Sequence, residues 1–163
     1  MSVKVNIYNK QKKIEFAPQM RALIRKACAA VLKSENFCGN VTVDVSVVDD
    51  EQIRAINNEC RSIDKATDVL SFPLGENGVF DADPKTGAYM LGDIVLSLEH
   101  ALLQGELYGH GKEREIAYLT VHSMLHLLGY DHVNTESEKR KMRQHEEAAM
   151  NILGLPEKGE NNG

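Results

Sequence analysis

The chain has 163 residues, of which 42% are hydrophobic and 26% are charged, so it is long enough for one domain with a real core. No apolar run approaches the ~18 residues of a membrane-spanning helix, and the N-terminus lacks the apolar segment of a secretory signal. Cys28, Cys38 and Cys60 are odd in number and form no CxxC spacing. This argues against a disulfide framework or a cysteine zinc site and favours a reducing, cytoplasmic location. We expect each cysteine to be a small buried hydrophobic residue.

The charge is unevenly distributed along the chain. The net charge is −5, but residues 1–37 carry eight basic and two acidic residues, a local charge of +6, against 11 basic and 22 acidic residues elsewhere. A polarised surface of this kind can steer a polyanion to one face. The simpler interpretation is a solvated helix face.

The first half of the chain shows alternating strand and helix patterns. Residues 3–8, VKVNIY, alternate in polarity and predict a strand, and Pro18 begins a helix with one apolar face. Residues 41–48, VTVDVSVV, predict a second strand with its valines on one face. Asp49 or Asp50 is expected to cap a short helix that follows this strand.

The second half of the chain predicts two strands, a long loop and three helices. Residues 67–73, TDVLSFP, predict a strand that stops at its proline, and residues 89–99 predict the fourth strand. Between them, residues 75–88 are rich in Gly, Asp and Pro and predict a loop of the length that functional or mobile segments have. Within it we interpret Asp81 and Asp83 as turn formers. Helices are predicted near residues 99–108, 114–128 and 136–152.

These elements predict a single small α+β domain over residues 1–156, followed by a disordered tail over residues 157–163. Thr135 with Glu138 predicts a capping box at the start of the last helix, and Gly154 and Pro156 end that helix. We expect about four strands in one mixed sheet, with helices packed on it and a central metal-binding helix.

Residues 122–132, HSMLHLLGYDH, hold three of the six histidines. His122 and His126 are four residues apart, so they share one helix face and can reach one ion at ~2.0–2.1 Å. Gly129 can end the helix in the left-handed conformation, which brings His132 back to the same ion. Three imidazoles leave one position open, as in catalytic zinc sites. We therefore predict one Zn²⁺ per chain, although imidazole also suits other divalent transition metals.

The remaining charged residues near this motif receive simpler interpretations. We interpret Asp131 as a partner of a ligand or as a turn cap, because neighbouring side chains in an extended segment point apart. Three further histidines lack a comparable spacing, and we expect them to be surface or packing residues: His100, His110 and His145.

Residues 57–73, NNECRSIDKATDVLSFP, form a second dense segment. Arg61 lies between a predicted helix and a predicted strand, where its guanidinium can direct two donors at a phosphate or a carboxylate. The alternative is a surface ion pair of Arg61 with Asp64 or Asp68.

Together the two segments resemble one family. The motif R-x-x-D-x-x-T-D-V-L-S-F-P, followed by L-G-D-I and H-x-x-L-H-L-L-G-Y-D-H, is similar to the YbeY endoribonucleases, the bacterial rRNA maturation factors. The resemblance runs from Asn57 to His132. It implies a single-strand-specific, metal-dependent endoribonuclease with zinc on His122, His126 and His132, and an essential arginine at Arg61. It also implies ribosomal RNA of the small subunit as substrate, 16S rRNA 3′-end processing, ribosome quality control, and ribosome-associated proteins as further partners.

Ser123 bears on the type of reaction. Zinc proteases of the metzincin type carry a glutamate directly after the first histidine, as the general base, and Ser123 cannot serve in that role. Cleavage of a phosphodiester depends instead on positioning and on neutralising charge, which a metal and an arginine supply. Ser123 and Cys60 also depart from the family pattern, which usually has glycine and an aromatic residue there.

Two other functions stay open at this point. One is a zinc metallopeptidase-like hydrolase whose base lies elsewhere in the fold. The other is a non-catalytic ribosome-assembly factor with a structural metal, although structural zinc sites usually have four protein ligands and this motif supplies three.

Overall fold

The computed structural model describes residues 2–130 and 134–155. A four-stranded mixed sheet lies at its centre, and the strands are β1 (Val3–Asn9), β2 (Val41–Val48), β3 (Val69–Pro73) and β4 (Tyr89–Ser97). The spatial order is β1-β2-β4-β3, with β1, β2 and β4 parallel and β3 antiparallel to β4. The predicted mixed sheet is confirmed, and β3 forms one of its edges.

Five helices complete the part of the chain that is described: α1 (Pro18–Ser34), α2 (Asp50–Arg61), α3 (Leu98–Leu107), α4 (Gly111–Leu127) and α5 (Glu136–Leu153). Helix α4 packs against α1, α3, α5, β3 and β4 and is therefore the central helix of the domain. Within these residues no helix is both long enough and apolar enough to cross a membrane.

The two faces of the sheet bury different partners. In β2 the alternating valines are at most 1% exposed and join the main core with α1 and α4, whereas Thr42, Asp44 and Ser46 point to the other face. Helix α2 covers one end of that second face, where Ile53 packs in a smaller cluster with residues of β2, β3 and β4. The period-two pattern therefore predicted the buried face of β2 correctly.

Most element boundaries agree with the predictions, and the differences have local causes. Helix α4 begins at Gly111, three residues before the predicted start, because its first turn is exposed and leaves no apolar pattern in the sequence. The fourth strand ends at Ser97 instead of residue 99, because Ser97 caps α3 by accepting a hydrogen bond from the backbone of His100.

The N-terminal caps of α2 and α5 are formed by residues that the sequence singled out. Asp49, not Asp50, caps α2, in a reciprocal capping box with Gln52. At α5 the Thr135 hydroxyl oxygen accepts from the backbone of Glu138, which is one of the two contacts of the predicted capping box, and the hydroxyl donates to the Glu138 carboxylate at 3.0 Å. Gly154 ends α5 with a φ of 75°, while Pro156 and the predicted tail over residues 157–163 lie outside the described residues.

The expectations for the three cysteines and for Asp83 had different outcomes. Cys28 is buried as expected, and burial raises its pKa to about 12. Cys38 and Cys60 are exposed, so the expectation that each cysteine is buried is wrong for both. Asp83 is confirmed as a turn former, because its carboxylate accepts from the backbone of Lys85 at 2.8 Å.

Candidate active site

His122 and His126 face each other on the last turns of α4. Their Nε2 atoms are 2.9 Å apart, and their ring centroids are separated by 4.4 Å with the planes at 75°. The spacing of four residues places both rings on one face of the helix, as the sequence predicted. Because two ring nitrogens converge on one point, a single ion could take both as ligands.

A buried carboxylate holds the first histidine from behind. Glu146, on α5, is only 6% exposed, and its Oε2 lies 2.5 Å from Nδ1 of His122. An ionised carboxylate can only accept, so the Nδ1 atom carries the proton and Nε2 keeps its lone pair for a metal. Carboxylate–histidine pairs of this kind orient the ligands of many metal sites.

Tyr118 completes the support of His122. Its ring stacks on the His122 imidazole, with centroids 6.0 Å apart and planes at 28°, and its hydroxyl donates to Glu146 at 3.2 Å. Burial raises the pKa of the Tyr118 phenol, and the charge of Glu146 raises it further. The phenol therefore stays a hydrogen-bond donor throughout the physiological pH range.

Sequence reasoning did not single out Glu146 or Tyr118. Helix α5 buries Met142, Ala149 and Met150, and Glu146 falls on the same face. A carboxylate inside an apolar helix stripe is a signal, because a charge is rarely buried without a partner. The apolar stripe of α5 could therefore have predicted that Glu146 is buried, but it could not have predicted that His122 is its partner.

Arg61 makes none of the ion pairs that were considered for it. One of its terminal nitrogens donates to the carbonyl of Ser71 on β3 at 3.2 Å, and its guanidinium carbon lies 5.7 Å from the ring centroid of Phe72. Asp64 instead pairs with Arg54 at 2.8 Å, which lowers the pKa of the Asp64 carboxyl through a hydrogen bond and charge attraction. The guanidinium is thus held against β3 with donors left for a ligand.

One cavity brings Arg61 together with both histidines. It has a volume of about 420 Å³, and its walls are formed by Arg61, Val69, Ser71, Pro73, His122 and His126. Edge strand β3 forms the floor between the end of α2 and the last turns of α4. The two dense segments of the sequence, which are about 60 residues apart along the chain, therefore meet at one surface.

The residues present fit a metal ion as far as the described part of the chain extends. Two nitrogens bound to one tetrahedral zinc at ~2.0–2.1 Å lie about 3.4 Å apart, so small ring rotations would accommodate the ion between the His122 and His126 Nε2 atoms. Residues 2–130 and 134–155 contain no group of three potential ligands. The predicted third ligand, His132, and its neighbour Asp131 lie outside the described residues.

Each of the other three histidines is paired with an acid. His100 lies 3.0 Å from Asp50, and His110 lies 2.6 Å from the buried Glu115. His145 lies 2.7 Å from Glu35. None of the three belongs to the walls of the cavity that Arg61 lines.

The pair formed by His145 and Glu35 anchors the end of the histidine segment. Tyr130 donates its hydroxyl proton to the same Glu35 carboxylate at 2.6 Å, and its ring centroid lies 4.5 Å from that of His145. Burial and the hydrogen bond to Glu35 raise the pKa of Tyr130 to about 12. This contact joins α1, α5 and the residue at which the described part of the histidine segment ends.

Ser123 points away from the cavity into the core. The residue is fully buried, and its hydroxyl has no hydrogen-bond partner among the residues with described positions. It therefore cannot reach a substrate beside His122, in agreement with the expectation that Ser123 is not a general base.

The fold and the cavity together define a small α+β protein that carries the residue types of a hydrolase: paired imidazoles, a buried carboxylate behind one of them and an arginine on the same cavity. Residues 6–154 match the family model described as Endoribonuclease YbeY. The chain belongs to this family, and the predicted resemblance is confirmed.

Two related proteins and one solved structure are similar to this chain over nearly its whole length. The Endoribonuclease YbeY of Caldanaerobacter subterraneus subsp. tengcongensis is 51% identical over 156 residues, which cover 93% of this chain and 98% of that protein. The one from Thermoanaerobacter sp. strain X514 is 49% identical and covers 91% and 96%. The solution structure of TM1509 from Thermotoga maritima shares the fold, with a TM-score of 0.57, 24% identity and coverage of 98% and 99%.

Proposed function

We propose that this protein is a metal-dependent, single-strand-specific endoribonuclease that cleaves ribosomal RNA of the small subunit, in 16S rRNA 3′-end processing and ribosome quality control. Its membership of the Endoribonuclease YbeY family supports the nuclease class. The observation that carries the proposal is the shared cavity, in which Arg61 faces the same space as His122 and His126.

The residues of the cavity have separate roles in this proposal. His122, His126 and the predicted third ligand His132 would hold one zinc ion, which supplies Lewis-acid activation of a phosphodiester when bound. Arg61 binds a phosphate oxygen through its remaining N–H donors, and the Ser71 carbonyl fixes the direction of its guanidinium. Glu146 and Tyr118 keep the His122 ring in one orientation.

An anionic substrate suits this cavity better than a peptide. Arg61 is exposed and makes no ion pair among the described residues, so its positive charge is available for a ligand. A phosphodiester carries the negative charge that this arginine can neutralise, whereas a peptide bond does not. The ribosome and its associated proteins are proposed as partners, and the cytoplasm as location, on the family resemblance alone.

The decisive experiment compares RNA cleavage by metal-depleted and zinc-restored protein, with the ends of the products identified. The proposal expects cleavage of single-stranded RNA that chelation abolishes and zinc restores. His126→Ala should contain little metal and cleave no RNA after zinc is added back, because one ligand is gone. Full metal content in that variant would refute the site, and activity without any metal would refute the proposed role of the ion.

A further inference from the structure

A second cavity adjoins the first on the other side of His126. It has a volume of about 280 Å³ and is lined by Pro73, Gly75, Glu76, Asn77, Gly78, His126, Leu127 and Gly129. Pro73 and His126 line both cavities. The two spaces are therefore neighbouring parts of one groove, with Arg61 at one end and the segment after β3 at the other.

The segment that lines the second cavity is a well-formed turn. The backbones of Glu76 and Val79 exchange hydrogen bonds of 3.1 and 2.9 Å, and Asn77 and Gly78 between them have φ values of 53° and 77°. Two successive residues with positive φ define a type I′ turn, for which Asn-Gly is the preferred sequence. This part of the loop over residues 75–88 thus has a fixed backbone.

The turn is also seated against the end of the histidine helix. A Cβ atom added to Gly129 would lie 3.4 Å from the backbone nitrogen of Gly78, and one added to Gly78 would lie 3.4 Å from the carbonyl oxygen of Leu128. The backbones are therefore in close proximity where α4 ends. The turn therefore packs in van der Waals contact with the end of α4, close to His126.

The charges at the two ends of the groove are opposite. Arg61 supplies a cation at one end, and Glu76 supplies an exposed carboxylate at the other. The Glu76 carboxylate has no hydrogen-bond or ion-pair partner among the residues described. A carboxylate repels phosphate, but it accepts hydrogen bonds from the amino groups of bases and from ribose hydroxyls. The Glu76 end of the groove thus suits the base or the sugar of a nucleotide and not its phosphate.

We infer that the turn Glu76–Val79 forms a nucleotide subsite next to the cleaved bond, in which Glu76 accepts a hydrogen bond from the base or ribose of the neighbouring nucleotide. The inference rests on the proposed cleavage of RNA and adds a residue that determines specificity. Two groups of a nucleotide share the required donor chemistry, namely an exocyclic amino group and the 2′-hydroxyl. Arg61 fixes the phosphate while Glu76 selects what is attached to it.

The test compares Glu76→Ala with Asp81→Ala, which removes the same charge from an exposed position further along the loop. Both zinc-loaded variants cleave one short single-stranded RNA and versions in which a nucleotide beside the cleaved bond lacks its amino group. The affinity of each protein for the DNA strand of the same sequence is measured alongside, because DNA lacks every 2′-hydroxyl. Metal content and melting temperature are recorded for each variant.

For the unmodified RNA we expect Glu76→Ala to raise KM about 10-fold to 100-fold, the value of one hydrogen bond to a charged group, and to change kcat little. The wild type should lose a similar factor when the correct donor is removed from the substrate, and Glu76→Ala should lose nothing further. Loss with the base analogue identifies the amino group, and loss with DNA identifies the ribose. Asp81→Ala should behave as the wild type does.

Equal KM values for Glu76→Ala and Asp81→Ala would overturn the inference while leaving the proposed function intact. Equal responses of Glu76→Ala and the wild type to every substrate change would overturn it as well. RNA left uncut by the zinc-loaded wild type would refute the proposed function, and this inference with it.

Discussion

Replacing Glu146 by glutamine should weaken metal binding and should also destabilise the metal-free fold by a comparable free energy. The side chain of Glu146 is 8% exposed and accepts hydrogen bonds from His122 and from the Tyr118 hydroxyl. Glutamine has the same shape but only one acceptor oxygen, so its amide donors must face one of these two partners. If they face His122, the Nδ1 proton has no acceptor, and the tautomer with its proton on Nε2 becomes favoured. That tautomer has lost the lone pair that would bind the ion.

The size of the effect follows from these contacts. Losing the partner of a metal-bound histidine typically lowers metal affinity about 10-fold to 100-fold, which corresponds to roughly 1.4–2.7 kcal/mol. The loss of stability without metal should be about 1–2 kcal/mol, because a hydrogen bond to a charged acceptor contributes about 1.5–3 kcal/mol and a neutral one about 0.5–1.5 kcal/mol. Because Glu146 is buried, solvent screens these interactions only weakly.

Metal affinity is measured by competition with a chelator of known affinity, and the tautomer of His122 by nitrogen NMR of the metal-free protein. Glu147→Gln is the matched control, because it makes the same charge change on an exposed residue of the same helix. Wild-type metal affinity in Glu146→Gln would refute the role assigned to the buried carboxylate. Equal losses in both variants would show that only overall charge matters.

Three further predictions follow from individual side chains. Arg61→Ala should keep its metal and its fold but lose cleavage. Arg61→Lys should recover cleavage only in part, since a point charge cannot replace a two-pronged contact. Equal single-turnover rates for wild type and Arg61→Ala would remove Arg61 from the mechanism. Burial and the neighbouring Asp44 raise the pKa of the Asp93 carboxyl above 3.8. The folded state therefore binds that proton more tightly, and stability falls as pH rises from 3.8 through the raised pKa. Asp93→Asn should then stabilise the protein at neutral pH, with the gain disappearing below the ordinary pKa, and urea unfolding at both pH values checks the sign. Ser123→Ala should raise the free energy of unfolding by about 1 kcal/mol, because it removes a buried hydroxyl without a partner; a loss of stability would mean that the hydroxyl is hydrogen-bonded.

The sequence predicted best those features that depend on local periodicity. The four valines of β2 alternate with polar residues, and the face they define is the buried one. The four-residue spacing of His122 and His126 likewise predicted that their rings converge. In both cases the geometry of a single strand or helix determines the outcome, so no knowledge of the tertiary fold was needed.

Features that depend on contacts between distant elements could not be predicted in this way. Glu146 meets His122 only because α5 packs against α4, and nothing near either residue specifies that contact. The alternative considered for Arg61 was an ion pair with an acid close in sequence, but the Asp64 carboxylate pairs with Arg54 instead. The three histidines with acidic partners show the same limit, since His145 and Glu35 are 110 residues apart.

The basic N-terminal third illustrates how charge along a sequence can mislead. Arg21 donates to the carbonyl of Ile7 at 3.1 Å, and Arg25 donates to the carbonyl of Val5 at 3.5 Å. Both arginines thus lie beside β1, which is the opposite edge of the sheet from β3 and Arg61. This placement favours the interpretation of a solvated helix face over that of a surface leading RNA to the cavity.

The charges around the cavity imply that a bound metal ion strengthens the binding of RNA. His126 lies in the last turn of α4, where the helix dipole presents partial negative charge. Burial raises the pKa of nearby Tyr118, and the negative charges of Glu146 and Glu115 raise it further. The histidine side of the cavity therefore attracts cations and repels phosphate, and Arg61 is the lysine or arginine among the described lining residues that can offset that repulsion. A bound divalent ion would reverse the sign of the charge on this side, so we expect RNA affinity to fall at least about 10-fold when the metal is removed.

Binding of uncleavable RNA, measured by fluorescence anisotropy with and without zinc at constant ionic strength, tests this expectation. The Glu146→Gln variant, saturated with zinc, should bind RNA as the wild type does or more tightly, because it carries one negative charge fewer. If RNA affinity were independent of zinc, Arg61 and its surroundings would hold the phosphate unaided, and the negative field around the histidines would have no influence on the substrate.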